Sequence, residues 1–292
     1  MPTTATTATR TSEGCGKAPP VRSTTGITGD VALGFDSGGL HRSYRLGVPA
    51  SYRADQPAPL VLNLHGSGSN ALEQSIYSRL PVAGERRGYL VVTPDAIDAN
   101  WDLQGHGRDD QFLMGLLDHL EGSYCIDLDR VYAAGISLGA WKSAITACTH
   151  PDRFAAIALV AVEVAPPNCA IPVVAFHGTA DPVVPYGVGA DPGVVVTGSN
   201  AGLTGAAVNM ANWARYSGCA PGKRVVPIGG DVQHWIYDGC RSGLGVEFYS
   251  IEHGGHTWPG SPIDVARLGP TTHTIDATKI ALDWFDAHRG TH

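Results

Sequence analysis

A serine stands between two glycines in "GISLG", Gly135 to Gly139, at the end of the apolar run Val131 to Ala134 and ahead of the helix-like "AWKSAITACTH". A serine hydroxyl is a poor nucleophile at neutral pH. It needs an imidazole to take its proton, a carboxylate to orient that imidazole, and N–H donors for the oxyanion formed when it attacks a carbonyl. The motif alone is short enough to be a Gly-Ser turn in a chain with 37 glycines. Its partners must therefore decide the matter.

A carboxylate candidate, Asp181, lies downstream in "VVAFHGTADPVVPY", on the loop after a buried-looking strand that ends at His177-Gly178. Its plain alternative is an Asp-Pro turn former. His256, in the glycine-rich "IEHGGHTWPG", follows another strand and comes last. His253, three residues earlier, continues the strand end and reads as a packing or capping residue. Ser, then Asp, then His, each on a loop after a strand, is the chain order of α/β-hydrolases, whose nucleophile sits on a sharp strand-to-helix turn. On this reading Ser137 is the nucleophile, His256 the base and Asp181 the acid. The backbone N–H groups of Leu138 and of Ser67, in "LHGSGSN", would form the oxyanion hole. That loop lacks the Lys-Ser/Thr ending and the Gly-x-Gly-x-x-Gly spacing of phosphate cradles. His65 and His177 each precede a glycine at a strand end and read as hydrogen-bonding core residues, not catalytic ones.

The elements that must position these residues follow from the apolar pattern. Residues 42–49, 59–66, 89–94, 130–135, 173–178 and 246–252 read as strands, and most end in Gly or Pro. Residues 109–124 place Phe112, Leu113, Leu116, Leu117 and Leu120 on one helical face behind an acidic first turn. Asp276 can cap a second helix carrying Ala277, Ile280, Ala281, Trp284 and Phe285. Strands alternating with helices predict an α/β fold with a mostly parallel central sheet and helices on both faces. Residues 1–14 are expected to be disordered, 15–292 to form a single catalytic domain, and 187–205 to be a long loop.

With 292 residues, 43% hydrophobic and a net charge of −7, the chain suits a soluble enzyme and argues against nucleic-acid or acidic-membrane partners. No His or Cys spacing suggests a metal cage, and the proposed chemistry calls for no cofactor. A monomer is expected. The six cysteines allow fifteen pairings, so sequence alone leaves their connectivity open. An even, widely spaced set in a low-charge chain favours an exported, disulfide-bonded protein over one with buried thiols. Met1 opens a polar Thr-rich stretch without the apolar core of a signal peptide. Export then requires that a native leader has been replaced.

The segments "HGSGSN", "YCIDLDRVYAAGISLGA", "HPDRFAAIALVA", "AFHGTADPVVPY" and "GGHTWPG" resemble the secreted polyhydroxybutyrate-depolymerase-like esterases and feruloyl esterases of the carbohydrate-esterase type, with acetylxylan esterases as near kin. The likeness runs from about Cys15 to the final helix. It implies the α/β-hydrolase fold, the triad Ser137–Asp181–His256, and disulfides Cys15–Cys125, Cys148–Cys169 and Cys219–Cys240. Leu138 departs from the pattern, standing where relatives often carry a smaller or polar residue. Trp101 and Trp258 are placed to flank an acyl pocket, where flat walls would suit a hydroxycinnamoyl group; simple packing is the alternative for Trp258. A feruloyl esterase is the first expectation. A short-chain polyhydroxyalkanoate depolymerase or an acetylxylan esterase comes second, although no polymer-binding domain follows the catalytic one. An inactive hydrolase fold used for binding is the remaining alternative, and no lipase-like lid is apparent.

Overall fold

The computed structural model describes residues 9–24, 26, 28–187 and 204–290. Ten strands form one sheet: β1 (Val31–Ser37), β2 (Leu40–Gly47), β3 (Ala58–Leu64), β4 (Leu90–Pro94), β5 (Ile126–Ile136), β6 (Ala156–Val160), β7 (Val173–Gly178), β8 (Arg224–Ile228), β9 (Val232–Tyr237) and β10 (Val246–Ile251). Their spatial order is β1-β2-β4-β3-β5-β6-β7-β10-β9-β8. The central neighbours β4-β3-β5-β6-β7-β10 are all parallel. The β1–β2 and β8–β9 hairpins extend the two edges antiparallel.

A strand covered on both faces reads as a nearly continuous apolar run, and β3, β4, β6 and β7 are buried at every position. Among the described residues six α-helices supply the cover: α1 (Ala71–Ser78), α2 (Leu80–Glu85), α3 (Arg108–Ser123), α4 (Leu138–Thr149), α5 (Ala206–Tyr216) and α6 (Ala277–Ala287). Leu60, Leu62 and Leu64 of β3 share one cluster with Phe112, Leu116 and Leu120 of α3, Ala140 and Ala144 of α4, and Trp213 of α5. Val61, between them, joins the opposite cluster with Leu80 of α2 and Leu282 and Phe285 of α6. The two-residue period of one strand thus divides the core into two layers.

The expected strands and the three expected helices, α3, α4 and α6, are present within a few residues of their predicted ends. Asp276 caps α6 by accepting the Lys279 N–H at 3.0 Å. Strands β1, β6, β8 and β9 and helices α1, α2 and α5 were not anticipated. The expected disorder of residues 1–14 needs correction at residues 11 and 12. Residues 1–8 lie outside the described residues, but Thr11 pairs with Asp127. Ser12 is buried, donates to the Tyr124 carbonyl and accepts the Ile126 N–H. Most of the expected 187–205 loop, residues 188–203, lies outside the described residues.

Both extremities of the described chain meet at the start of β5. Arg10 pairs with Asp129 at 3.4 Å, Arg289 pairs with Asp127 at 2.9 Å, and the Gly290 N–H donates to the Asp129 carbonyl at 2.8 Å. The three disulfides are Cys15–Cys125, Cys148–Cys169 and Cys219–Cys240, the pairing that the family resemblance implies. Cys148–Cys169 joins the end of α4 to the segment before β7 across 21 residues of chain. A loop of that size reduces the entropy of the unfolded chain by an amount worth about 3 kcal/mol. Replacing both cysteines by serine is expected to lower the unfolding free energy in urea by about that much, leaving the folded far-UV spectrum unchanged.

Candidate active site

The candidate residues sit at the carboxyl ends of parallel strands, β3 beside β5 and β7 beside β10, with β6 between the two pairs. Ser67 follows β3, Ser137 follows β5, Asp181 follows β7 and His256 follows β10. Ligands in open α/β sheets bind along this edge.

Ser137 lies between the last residue of β5 and the first of α4, at φ 57° and ψ −125°. A non-glycine residue in that region costs of order 1–3 kcal/mol and persists only where its surroundings enforce it. Here they do. The Ser137 N–H donates to the Val160 carbonyl of β6 at 2.8 Å. A Cβ on Gly139 would lie 2.3 Å from the Leu64 carbonyl oxygen, and one on Gly135 would lie 2.5 Å from the Gly139 backbone. Only glycine lets α4 start this close to the end of β3. The β3 loop in turn reaches the serine, since a Cβ on Gly66 would come within 3.3 Å of the Ser137 Cβ.

The two expected oxyanion donors are differently placed. Leu138 opens α4, where the first N–H groups have no partner within the helix. Ser67 is exposed, and its backbone N–H has no hydrogen-bond partner among the described residues. The neighbouring loop after β4 holds this segment. The Gly68 N–H donates to the Ala99 carbonyl at 2.8 Å, and the Ser67 hydroxyl bonds the Asn100 side chain. Within the same segment the His65 Nε2 accepts the Ala96 N–H at 3.0 Å, so its proton is on Nδ1, which faces the Gly66 carbonyl at 2.7 Å. Burial pushes this imidazole below its ordinary range, consistent with a neutral ring.

The acid and base candidates are in contact. His256 is 5% exposed, and its Nδ1 lies 2.7 Å from Asp181 Oδ2. Asp181 Oδ1 accepts the N–H groups of Val183 and Val184 at 2.7 and 2.8 Å. The alternative base His253 projects into solvent, its side chain 87% exposed, with Glu252 its nearest charge at 3.9 Å.

Asp181 has a further neighbour that the sequence reading set aside. His177 Nε2 is 3.2 Å from Asp181 Oδ2 and 2.9 Å from the Val184 carbonyl, while Nδ1 is 2.7 Å from Glu163 Oε2. Glu163, three residues beyond β6, was not singled out. The run "ALVAVEVAP" hid it, because a glutamate after an apolar strand ordinarily turns outward. This one is 2% exposed and takes an N–H from Asn209 of α5 at 3.0 Å. Burial opposes charge on both members of the His177–Asp181 contact. For His177 the Glu163 charge and the hydrogen bonds to Asp181 and Glu163 outweigh it, raising the pKa to about 10. For Asp181 the hydrogen bonds from His177 and His256 outweigh it, holding the carboxyl at about 2.

The two tryptophans expected to flank an acyl pocket are inside the protein: Trp101 is 4% exposed and Trp258 1%. An indole N–H needs a partner when buried, and both find one internally. Trp101 packs against His65 and donates to the His65 carbonyl at 2.9 Å, so it braces the Ser67 loop. Trp258 donates to the Thr278 hydroxyl of α6 at 2.9 Å. Neither ring is free to form the wall of an open slot. Among the described residues, His106, Asp110 and His150 bring three possible metal-binding atoms within 4.8 Å of one another. The Asp110 carboxylate there already serves His150 Nε2 at 2.8 Å, the His106 N–H and the Thr146 hydroxyl.

The shifted groups set the pH range of stability. His177, raised from 6.5 to about 10 in the folded state, contributes fully below about pH 6.5 and loses its contribution as pH rises through about 10. Asp181, lowered from 3.8 to about 2, contributes above about pH 3.8 and loses its contribution as pH falls through about 2. The thermal midpoint is therefore expected to decline steadily between about pH 7 and 10. A Glu163→Gln/His177→Gln variant should lose that alkaline slope in calorimetry.

No family model matches the chain. Feruloyl esterase D of Neurospora crassa is 28% identical over 262 residues, covering 84% of this chain and 81% of its own length. Feruloyl esterase B of Piromyces equi is 28% identical over 224 residues, covering 71% of this chain but 41% of its own length, so the chain spans about four tenths of that protein. Poly(3-hydroxyalkanoate) depolymerase C of Paucimonas lemoignei is 27% identical over 253 residues, covering 74% of this chain and 58% of its own. Among solved structures, an acetyl xylan esterase from Aspergillus awamori superposes with a TM-score of 0.61 at 14% identity, over 88% of this chain and 99% of that one. The chain has the α/β-hydrolase fold and is homologous to carboxylic-ester hydrolases that include feruloyl esterases and a polyhydroxyalkanoate depolymerase.

Proposed function

We propose that this chain is a serine carboxylic-ester hydrolase with Ser137 as nucleophile, His256 as general base and Asp181 as the residue that orients it. The observation carrying this reading is Ser137's positive φ on a strand-to-helix turn, at the sheet edge where Asp181 and His256 are already hydrogen-bonded. His256 takes the serine proton as Oγ adds to the ester carbonyl. The N–H groups of Ser67 and Leu138 receive the oxyanion, and loss of one such donor typically costs about a hundred- to a thousandfold in rate. Collapse releases the alcohol, protonated by His256, and leaves an acyl group on Ser137. Water, deprotonated by His256, then frees the acid. Asp181 stabilises the imidazolium in both steps and stays ionised.

The acyl group proposed is a hydroxycinnamate, in a feruloyl ester of plant cell-wall polysaccharide, and its support is the two relatives named feruloyl esterase. Trp101 and Trp258 are buried and lend it no support. A polyhydroxyalkanoate substrate is the second reading. It draws on the depolymerase relative and on Leu72 of α1 and Ile263 of the His256 loop, which are 44% and 42% exposed on two segments joined by the Trp258 N–H and the Tyr77 hydroxyl. Three disulfides fit an oxidising compartment, and export of a monomeric single-domain enzyme is part of the proposal.

The test is release of ferulate from methyl ferulate beside clearing of a polyhydroxybutyrate suspension. Ser137→Ala is expected to abolish either activity, and Asp181→Asn to lower kcat by about 10³–10⁴-fold. Clearing of the polyester without ferulate release would replace the substrate and keep the triad. Equal rates for the native protein and Ser137→Ala would overturn the assignment of Ser137.

A further inference from the structure

We propose that Glu163 and His177 are a positioning pair behind Asp181: a carboxylate and an imidazolium that keep a fixed positive charge on the same oxygen that His256 uses, and so extend ester hydrolysis into acidic solution. The inference rests on the triad reading and concerns the charge state of its base.

The charge on His177 follows from its contacts. The Val184 carbonyl can only accept, so Nε2 carries a proton. Nδ1 faces Glu163 Oε2 at 2.7 Å, and the other Glu163 oxygen accepts an amide N–H from Asn209. Both ring nitrogens therefore point at acceptors, and the side chain is 1% exposed, beyond the reach of bulk water. Among the described residues, the groups packed around the pair are few. Glu163 comes from the segment after β6, Asp181 from the loop after β7 and His256 from the loop after β10. Asn209 and Trp213 come from α5, and Trp213 donates to the Glu163 carbonyl. The Tyr186 ring meets His177 edge-on, its hydroxyl bonded to Ser250 of β10. Glu163 and Asp181 are the two anions in this set, and His177 lies between them.

The consequence falls on Asp181 Oδ2. Its partner Oδ1 is occupied by two backbone N–H groups, so both imidazoles share Oδ2, His256 at 2.7 Å and His177 at 3.2 Å. Protonating His256 in acid would place two imidazolium rings on one carboxylate oxygen. Like charges at such separations disfavour the second ionisation. His256 accordingly stays neutral, and able to accept the Ser137 proton, to lower pH than it would beside Asp181 alone. Glu163 supplies the counter-charge that lets His177 remain an imidazolium while buried, and it lies on the far side of that ring from Asp181.

Side-chain imidazole NMR of the native protein and of Glu163→Gln/His177→Gln, with p-nitrophenyl acetate hydrolysis followed from pH 4 to 9, tests this. Both His177 nitrogens should carry protons up to at least pH 8. In the double variant the His256 titration midpoint and the acid limb of kcat/KM should each move up by about one pH unit, a tenfold loss at the acid end. An unmoved midpoint, with only a lower melting temperature, would make the pair structural and overturn the proposal. If the native protein hydrolyses no ester, the proposed function fails, while the His256 midpoint still decides the inference. If the double variant does not fold, native spectra decide it: loss of a His177 proton below pH 8 overturns the pair, and a ring doubly protonated throughout sustains it.

Discussion

Where four loops converge at one edge of the sheet, there is no room for a Cβ. One placed on Gly178 would lie 2.2 Å from the Gly254 carbonyl oxygen, and one on Gly255 would lie 2.1 Å from that of Leu268. With the equally tight contact at Gly139, these exclusions bring the end of β5 against that of β3 and the end of β7 against that of β10. The polar geometry is downstream of this steric fact. Hydrogen bonds at 2.7 Å between residues 75 positions apart in the chain need backbones that approach without a side chain between them.

The same edge carries two histidines with the same local signature, a His-Gly pair ending a buried strand, and opposite electrical character. His65 has a backbone N–H pointing at one nitrogen, which forbids a proton there, and its ring is neutral. His177 has acceptors at both nitrogens, one of them a carboxylate, and its ring is held as a cation. Burial disfavours charge at both. The donor or acceptor nature of the partners decides the outcome, since taking an ion out of water is tolerable only when opposite charge and hydrogen bonds compensate. The cost of burying Glu163 and Asp181 is offset in the same way, each by the other's neighbour.

Much of this arrangement was legible in the sequence because it rests on local patterns. Short apolar runs mark buried parallel strands, and Ser137, Asp181 and His256 each follow one. The elements that escaped are those whose patterns are weak. In β1 half-buried and exposed residues alternate, β8 is exposed along nearly its whole length, and α2 is six residues long with a proline in its first turn. The burial of Trp101 is hidden in the sequence for a different reason, and for Trp258 the same ambiguity leaves packing as the outcome. An aromatic residue near a proposed base has the same composition whether it lines a cleft or fills the layer beneath, and only the partner of its indole N–H distinguishes them. Glu163 was invisible because its partners, His177 and Asn209, lie 14 and 46 residues away. Nor does a polar Thr-rich start reveal that Thr11 pairs with Asp127, because that pairing is made by the backbone.

Both extremities of the described chain are fastened to residues 127–129, at the start of β5, whereas Ser137 stands just past its end. An eleven-residue strand is roughly 35 Å long. Residues 10 and 290 therefore lie at the opposite end of β5 from the edge that carries Ser137, Asp181 and His256. Tethering the protein to a bead or a carrier through residues near 10 or 290 would leave that edge facing away from the support. With the two ends gathered on one strand, they could also be linked and the chain reopened at another surface loop without disturbing the sheet order.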